Sequence, residues 1–167
     1  DLARCSEPFD SSPSLDSLQA AARKRSCGIV AGFPERSGDR IFNSAALLCP
    51  DGTRKLYRKL HLFGAENLLF DPGDLPFSVH ECNGAKLGIL VCFDWYFPES
   101  VRTLALKGAQ IICHPVNFVL PWGQRAMIIR SLENRVFSVT ANRYGAETNG
   151  DRSFSFTGAS QIVSPQG

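Results

Sequence analysis

The sequence predicts an α/β fold, on three observations. Short apolar runs of strand length recur along the chain, at residues 29–33, 87–91 and 109–114. Between several of them lie segments whose apolar residues repeat at helical spacing, opened by Ser or Pro and closed near Gly. Two turn signals, Pro50-Asp51-Gly52 and Asn83-Gly84, fold other runs into hairpins. This alternation of helical and extended patterns is that of a mixed architecture.

Taken in order, Ser14 is placed to cap a helix that carries Leu15, Leu18 and Ala22 on one face and ends near Cys27-Gly28. Its last turn holds Arg23-Lys24-Arg25, cations that offset the helix dipole. A buried strand at 29–33 follows, then a hairpin of 42–49 and 54–59 around the Pro-Asp-Gly turn. Asn83-Gly84 joins 77–79 to the strand that ends at Cys92. Pro98 opens a helix with Val101, Leu104 and Ala105 on its apolar side, and Gly108 closes it. A strand at 109–114 leads to a helix at 125–136, with Ile128, Ile129, Leu132 and Val136 expected to face inward, and then to a strand at 137–141. The polar, Gly-containing segment 142–153 is expected to be a loop. The final stretch, 159–167, echoes 44–52, and both end in Pro-x-Gly. The first copy continues into a second strand and the last does not, so the sequence is expected to be a piece of a longer protein, because an edge strand would keep unpaired backbone groups.

Composition narrows the function classes. With 167 residues, 44% hydrophobic, the chain can bury one sizeable core as a single domain spanning 1–167. The net charge is only +2 and the basic residues are dispersed, so nucleic acid is not an expected partner. No stretch has the length and apolarity of a membrane span. The six cysteines, at 5, 27, 49, 82, 92 and 113, form no CxxC pair, and several lie in strand-like runs. Reduced thiols in a cytoplasmic protein are expected, with Cys27, Cys49, Cys82 and Cys113 as small buried hydrophobes. His61, His80 and His114 are too scattered for a zinc site.

Cys92 stands apart from the other five. The run Leu87-Gly88-Ile89-Leu90-Val91 breaks at it into Phe93-Asp94-Trp95-Tyr96-Phe97-Pro98-Glu99, so a buried strand ends on a sulfur and turns at once toward a Pro-started helix. That is a place for a nucleophile. Lys59 ends another strand amid apolar residues, Glu66 follows seven residues later, and Ile112-Cys113-His114-Pro115-Val116-Asn117 brings a third strand to a polar tip. Strand ends that converge in this way are where open α/β sheets keep their sites.

Three motifs in this order, YRKLHLFGAE around Lys59, GILVCFDWYFPES around Cys92, and SLENRVFSVTANRYGAE followed by FTGAS, resemble the nitrilase superfamily of carbon-nitrogen hydrolases over nearly the whole chain. The resemblance implies a four-layer αββα sandwich, incomplete in this chain, which would lack its N-terminal strand and C-terminal portion. It implies an active site of Cys, Lys and Glu: Cys92 as the nucleophile that forms a thioester, Lys59 as the lysine, and Glu66 as a second glutamate that positions lysine and substrate. Phe93, Tyr96, Asn117 and Phe118 are candidate substrate contacts, with Trp122 nearby. The Phe93 backbone N–H and Lys59 are candidate donors to the oxyanion, and the Lys59 ammonium is expected to lower the Cys92 pKa. The family's general-base glutamate sits near the N-terminus in a Phe-Pro-Glu-like sequence; Gly32-Phe33-Pro34-Glu35 has those letters but aligns with a later, structural glutamate, so Glu35 is not assigned as the base.

Cys92-Phe93-Asp94 is closer to the amidase, carbamoylase and ω-amidase branches than to the Cys-Trp-Glu of nitrile hydrolases. Tyr96 stands where many such relatives carry an arginine that would pair with a carboxylated substrate, which favours a small neutral or aliphatic amide. The expected activity is hydrolysis of that amide to acid and ammonia, without metal or organic cofactor, by a homodimer or higher oligomer pairing through helices 98–107 and 125–136. Nitrile hydrolysis, a non-catalytic domain used for assembly or partner binding, and a redox-sensing role for Cys92 are the alternatives. Glu99 at a helix start, and Glu133-Asn134-Arg135 on a helix, are expected to be structural.

Overall fold

A computed structural model describes residues 2–150 and 152–167. After a short helix, α1 (Leu2–Cys5), helix α2 (Pro13–Arg25) is capped by Ser12, not Ser14: the Ser12 Oγ accepts from the Leu15 N–H at 3.0 Å. Pro13 occupies the first helical position, where its fixed φ suits the helix, and this shifts the cap back by two residues. Ser14 instead donates to Glu7 Oε1 at 2.7 Å. The helix ends at Ser26, whose left-handed backbone turns its N–H back to the Ala22 and Arg23 carbonyls.

Strands β1 (Ile29–Ser37), β2 (Arg40–Leu48) and β3 (Arg54–Arg58) form an antiparallel sheet in sequence order. β1 runs past its predicted end at Phe33 because the residues up to Ser37 still pair with the start of β2. The turn between β2 and β3 is as the sequence indicates: the Gly52 N–H, at φ +100°, donates to the Cys49 carbonyl at 3.0 Å. Gly167 repeats this at φ +96°, donating to the Ser164 carbonyl at 3.0 Å, so the internal echo is one of geometry as well as letters.

The second sheet holds β4 (Val79–Cys82), β5 (Ala85–Ile89), β6 (Ile111–Val116), β7 (Phe137–Asn142) and β10 (Gln161–Val163), in the order β10-β7-β6-β5-β4. Its three central strands are parallel and both edges antiparallel. Asn83 and Gly84 both adopt positive φ, as a two-residue hairpin between β4 and β5 requires. Helices α3 (Pro98–Leu106) and α4 (Gly123–Asn134) make the crossovers between the parallel strands.

Three apolar clusters hold these parts together. Leu15 packs with Ala46 and Leu48 between α2 and the first sheet. Ala45, Leu47 and Tyr57 meet Leu87, Ile89 and Val91 between the two sheets. Val101, Leu104, Ile112, Val116, Met127 and Val136 fill the space between the second sheet and α3 and α4. Among the described residues, no helix is long and apolar enough to cross a membrane.

Three further expectations are corrected. Met127, Ser131 and Asn134 form the buried side of α4, whereas Ile128, Ile129 and Leu132 face outward; Ser131 is drawn in because its hydroxyl donates to Ser138 at 2.8 Å. Segment 142–153 is no loop: β8 (Tyr144–Asn149) and β9 (Arg152–Thr157) form a two-stranded ribbon whose polar residues face solvent on an exposed hairpin. Cys27 is exposed rather than buried, since the helix has already ended at Ser26, and Cys113 is only partly buried, on the face of its strand opposite Ile112 and His114.

Candidate active site

Cys92 lies just beyond the end of β5, at the first position of a 3₁₀ turn, Cys92–Tyr96, with φ +43°. Few L-residues other than Asn and Asp adopt that region, and such strain clusters at functional sites. Asp94 fixes the turn from within. Completely buried, it accepts from the Val91 N–H at 2.9 Å, the Tyr57 hydroxyl at 2.8 Å, and the His61 N–H and Nδ1 at 3.2 and 2.8 Å. One carboxylate thus ties the nucleophile's turn to both ends of the segment that contains Lys59. Burial, then the charge and hydrogen bond of Asp94, push the Tyr57 phenol far above its ordinary pKa, so it serves as a neutral donor.

Lys59 is 1% exposed and follows β3, where its N–H donates to the Asn43 carbonyl at 2.8 Å and its carbonyl accepts from Gly73 at 3.0 Å. Its Nζ donates to Glu66 Oε2 at 2.5 Å. Glu66, in a 3₁₀ turn (Gly64–Leu68), also accepts from the Phe63 N–H at 2.7 Å and from Asn43 Nδ2 at 3.2 Å. Two further groups, the Phe63 N–H and the Asn43 amide, thus hold the carboxylate of the ion pair, and the Lys59 backbone is bonded to Asn43 and Gly73.

These charges bear on the sulfur of Cys92. Burial raises its pKa, while the Lys59 ammonium and the Asn117 backbone N–H pull it down and Glu66 and Asp94 push it up. Lys59 acts in the expected direction, but desolvation outweighs that single cation and the net direction is upward.

The structure gathers Cys92, Lys59, Glu66 and the Asn117 backbone at one place. Phe93 stacks on Tyr96 at 5.2 Å and leans on Phe63 at 4.9 Å, and Tyr96 is 55% exposed, so both rings belong to an aromatic rim. Phe118 is placed differently: it is 3% exposed, edge-on to Trp95 and His114, and its ring fills the space beside Gly123. Trp122 is 55% exposed. Glu35 is buried on the other face of the first sheet, paired with Arg58. The residues missed at the sequence level are Asp94, Tyr57, His61, Asn43 and His114; the one signal for them was a carboxylate standing inside the aromatic run 93–97.

The model of the carbon-nitrogen hydrolase family matches residues 6–167. The chain belongs to the carbon-nitrogen hydrolase family. This superfamily includes nitrilases, amidases and carbamoylases. A nitrilase of Pyrococcus abyssi is 50% identical over 149 residues, covering 89% of this chain and 55% of that protein. Among solved structures, a carbon-nitrogen hydrolase from Helicobacter pylori G27 superposes with TM-score 0.82 at 27% identity, covering 95% of this chain and 63% of that one. A mutant of the amidase from Nesterenkonia sp. AN1, with the acetamide moiety of fluoroacetamide added covalently at its active-site cysteine, superposes with TM-score 0.78 at 30% identity, over 90% of this chain and 58% of that one. The chain thus spans about 55–63% of the length of these carbon-nitrogen hydrolases.

Proposed function

We propose that the protein hydrolyses a small neutral or aliphatic amide to its carboxylic acid and ammonia through a thioester on Cys92. The observation that carries this reading is the position of Cys92 at φ +43° on the turn after β5, with the Lys59 ammonium and the Asn117 N–H acting on its sulfur. In the first step the sulfur bonds to the amide carbon and the carbonyl oxygen becomes an oxyanion, met by Lys59 Nζ and the Phe93 N–H. The thiol proton is delivered to the nitrogen, which leaves as ammonia. Water then adds to the thioester, its hydroxyl going to the acyl carbon and its proton returning to the sulfur. Glu66 holds the Lys59 Nζ in place.

The rim of Phe93 and Tyr96, which offers a substrate no cation, supports an uncharged acyl group. Phe118 supports the turn from the core side. The outward row Ile128, Ile129 and Leu132 on α4 supports pairing of two copies through α3 and α4, and the family's four-layer αββα sandwich is the architecture of the whole protein. The free thiols suit a reducing, cytoplasmic setting. A nitrile is the second reading, favoured by the 50% identity to the Pyrococcus protein named a nitrilase.

The test is ammonia release by the full-length protein from matched aliphatic amides and nitriles, with Cys92→Ala as control. Amide turnover that needs Cys92 supports the proposal, nitrile turnover alone moves it to the second reading, and no turnover of either points to a non-catalytic domain.

A further inference from the structure

His114 is one of the most deeply buried titratable groups of the second sheet, 1% exposed, and the thioester chemistry above gives it no part. It lies on β6 between Ile112 and Val116, on the side that faces α3 and α4. Its Nε2 stands 2.9 Å from the Cys92 carbonyl, which can only accept, so Nε2 carries the hydrogen. Nδ1 is then the acceptor, and the Thr140 hydroxyl, 3.4 Å away on the neighbouring strand, is its donor. Thr140 on β7, His114 on β6 and Cys92 beyond β5 thus form a hydrogen-bonded row across the carboxyl ends of three adjacent parallel strands.

We infer that His114 is a positioning residue for Cys92: its Nε2–H tethers the Cys92 carbonyl, holding the left-handed backbone that aims the sulfur at the reacting carbon and the following N–H at the oxygen it bears. The inference rests on the reading of Cys92 as nucleophile. The backbone conformation at Cys92 is disfavoured for an L-residue and persists only where its surroundings over-determine it. Asp94 secures the turn from the Val91 side, and His114 secures the nucleophile itself from a different strand. Burial keeps the ring neutral, with its pKa down at about 4, so the tether keeps one tautomer across the physiological range. A ring with its proton on Nδ1 would face the carbonyl with a lone pair and break the row.

The experiment uses the full-length protein and compares His114→Leu, His114→Gln and Thr140→Val for kcat, KM and the rate at which iodoacetamide alkylates Cys92, located by mass spectrometry. The glutamine amide can donate where Nε2 does. The inference expects about a tenfold or larger fall in kcat and in alkylation rate for the leucine variant, with KM within about twofold, and recovery to within about threefold for the glutamine variant. A purely structural histidine would lower melting temperature in both variants while folded molecules kept the wild-type kcat and alkylation rate, and that result overturns the inference. Should the leucine variant not fold, Thr140→Val decides: a severalfold fall in kcat supports the tether, and an unchanged kcat overturns it. Turnover that survives Cys92→Ala would instead sink the reading of Cys92 on which the tether depends.

Discussion

Arg58 and Lys59 are consecutive residues at the end of β3, each with a glutamate partner, yet they belong to two different kinds of site. Arg58 commits all three of its nitrogens: Nε and Nη2 donate to Glu35 at 2.9 and 2.5 Å, Nη1 donates to Asp74 at 2.8 Å, and the guanidinium lies 4.0 Å from the Phe42 ring centroid. Ser44 closes the Glu35 side at 2.7 Å. Lys59 donates its Nζ to Glu66 alone among the described residues, which leaves two of its three N–H bonds to point elsewhere. A cation whose every nitrogen is engaged by carboxylates is structural, and one that meets a single carboxylate can also meet a developing charge. The alternation of β3 sends the two to opposite faces of one sheet.

The largest test of this contrast is at the nucleophile. Cys92→Ala should abolish amide hydrolysis while leaving the urea midpoint close to wild type, because the loss is one partly buried sulfur; turnover by the purified variant would contradict the assignment. Lys59→Met should lower kcat by roughly 10²–10³-fold, the usual cost of one oxyanion donor, with a smaller change in stability. Arg58→Met inverts the pattern. It strands the buried Glu35 carboxylate and should cost about 3–5 kcal/mol in urea unfolding, yet leave kcat within about twofold for molecules that remain folded. If the two cation variants gave the same kinetic loss, the distinction between a cation held by two carboxylates and one held by a single carboxylate would fail.

The smallest effect concerns acid stability. His114 stays neutral in the fold until pH falls to about 4, whereas in the unfolded chain it takes a proton near 6.5. Between those values the unfolded state binds more protons, so stability falls as pH drops through that window, by up to about 3 kcal/mol. His114→Gln should flatten this part of the curve, measured as the difference in unfolding free energy between pH 7 and pH 4.5. Equal slopes in both proteins would place the titration elsewhere.

Much of the framework was legible in the sequence because its signals are local. Pro50-Asp51-Gly52 and Asn83-Gly84 fixed two hairpins, and Pro98 and Gly108 bracketed α3. The misses arise where tertiary partners decide. Ser131 is drawn into the core by Ser138 and turns the isoleucines of α4 outward, an outcome that apolar periodicity cannot foresee. The β8–β9 ribbon has the composition of a loop because little of it is buried. At the site, the resemblance carried Cys92, Lys59 and Glu66 by motif, but the links of Asp94 to Tyr57 and His61 span 37 and 33 residues and come into being only when the two sheets meet.

The central claim, that Cys92 is the nucleophile served by Lys59, is tested most directly by intact-mass measurement of the full-length protein quenched during turnover of a small amide. The account predicts a species heavier by the acyl group, mapped to the peptide containing Cys92, absent from Cys92→Ala and diminished in Lys59→Met but not in Arg58→Met. Turnover with no adduct in any of these proteins, or an adduct that persists without Cys92, would contradict it.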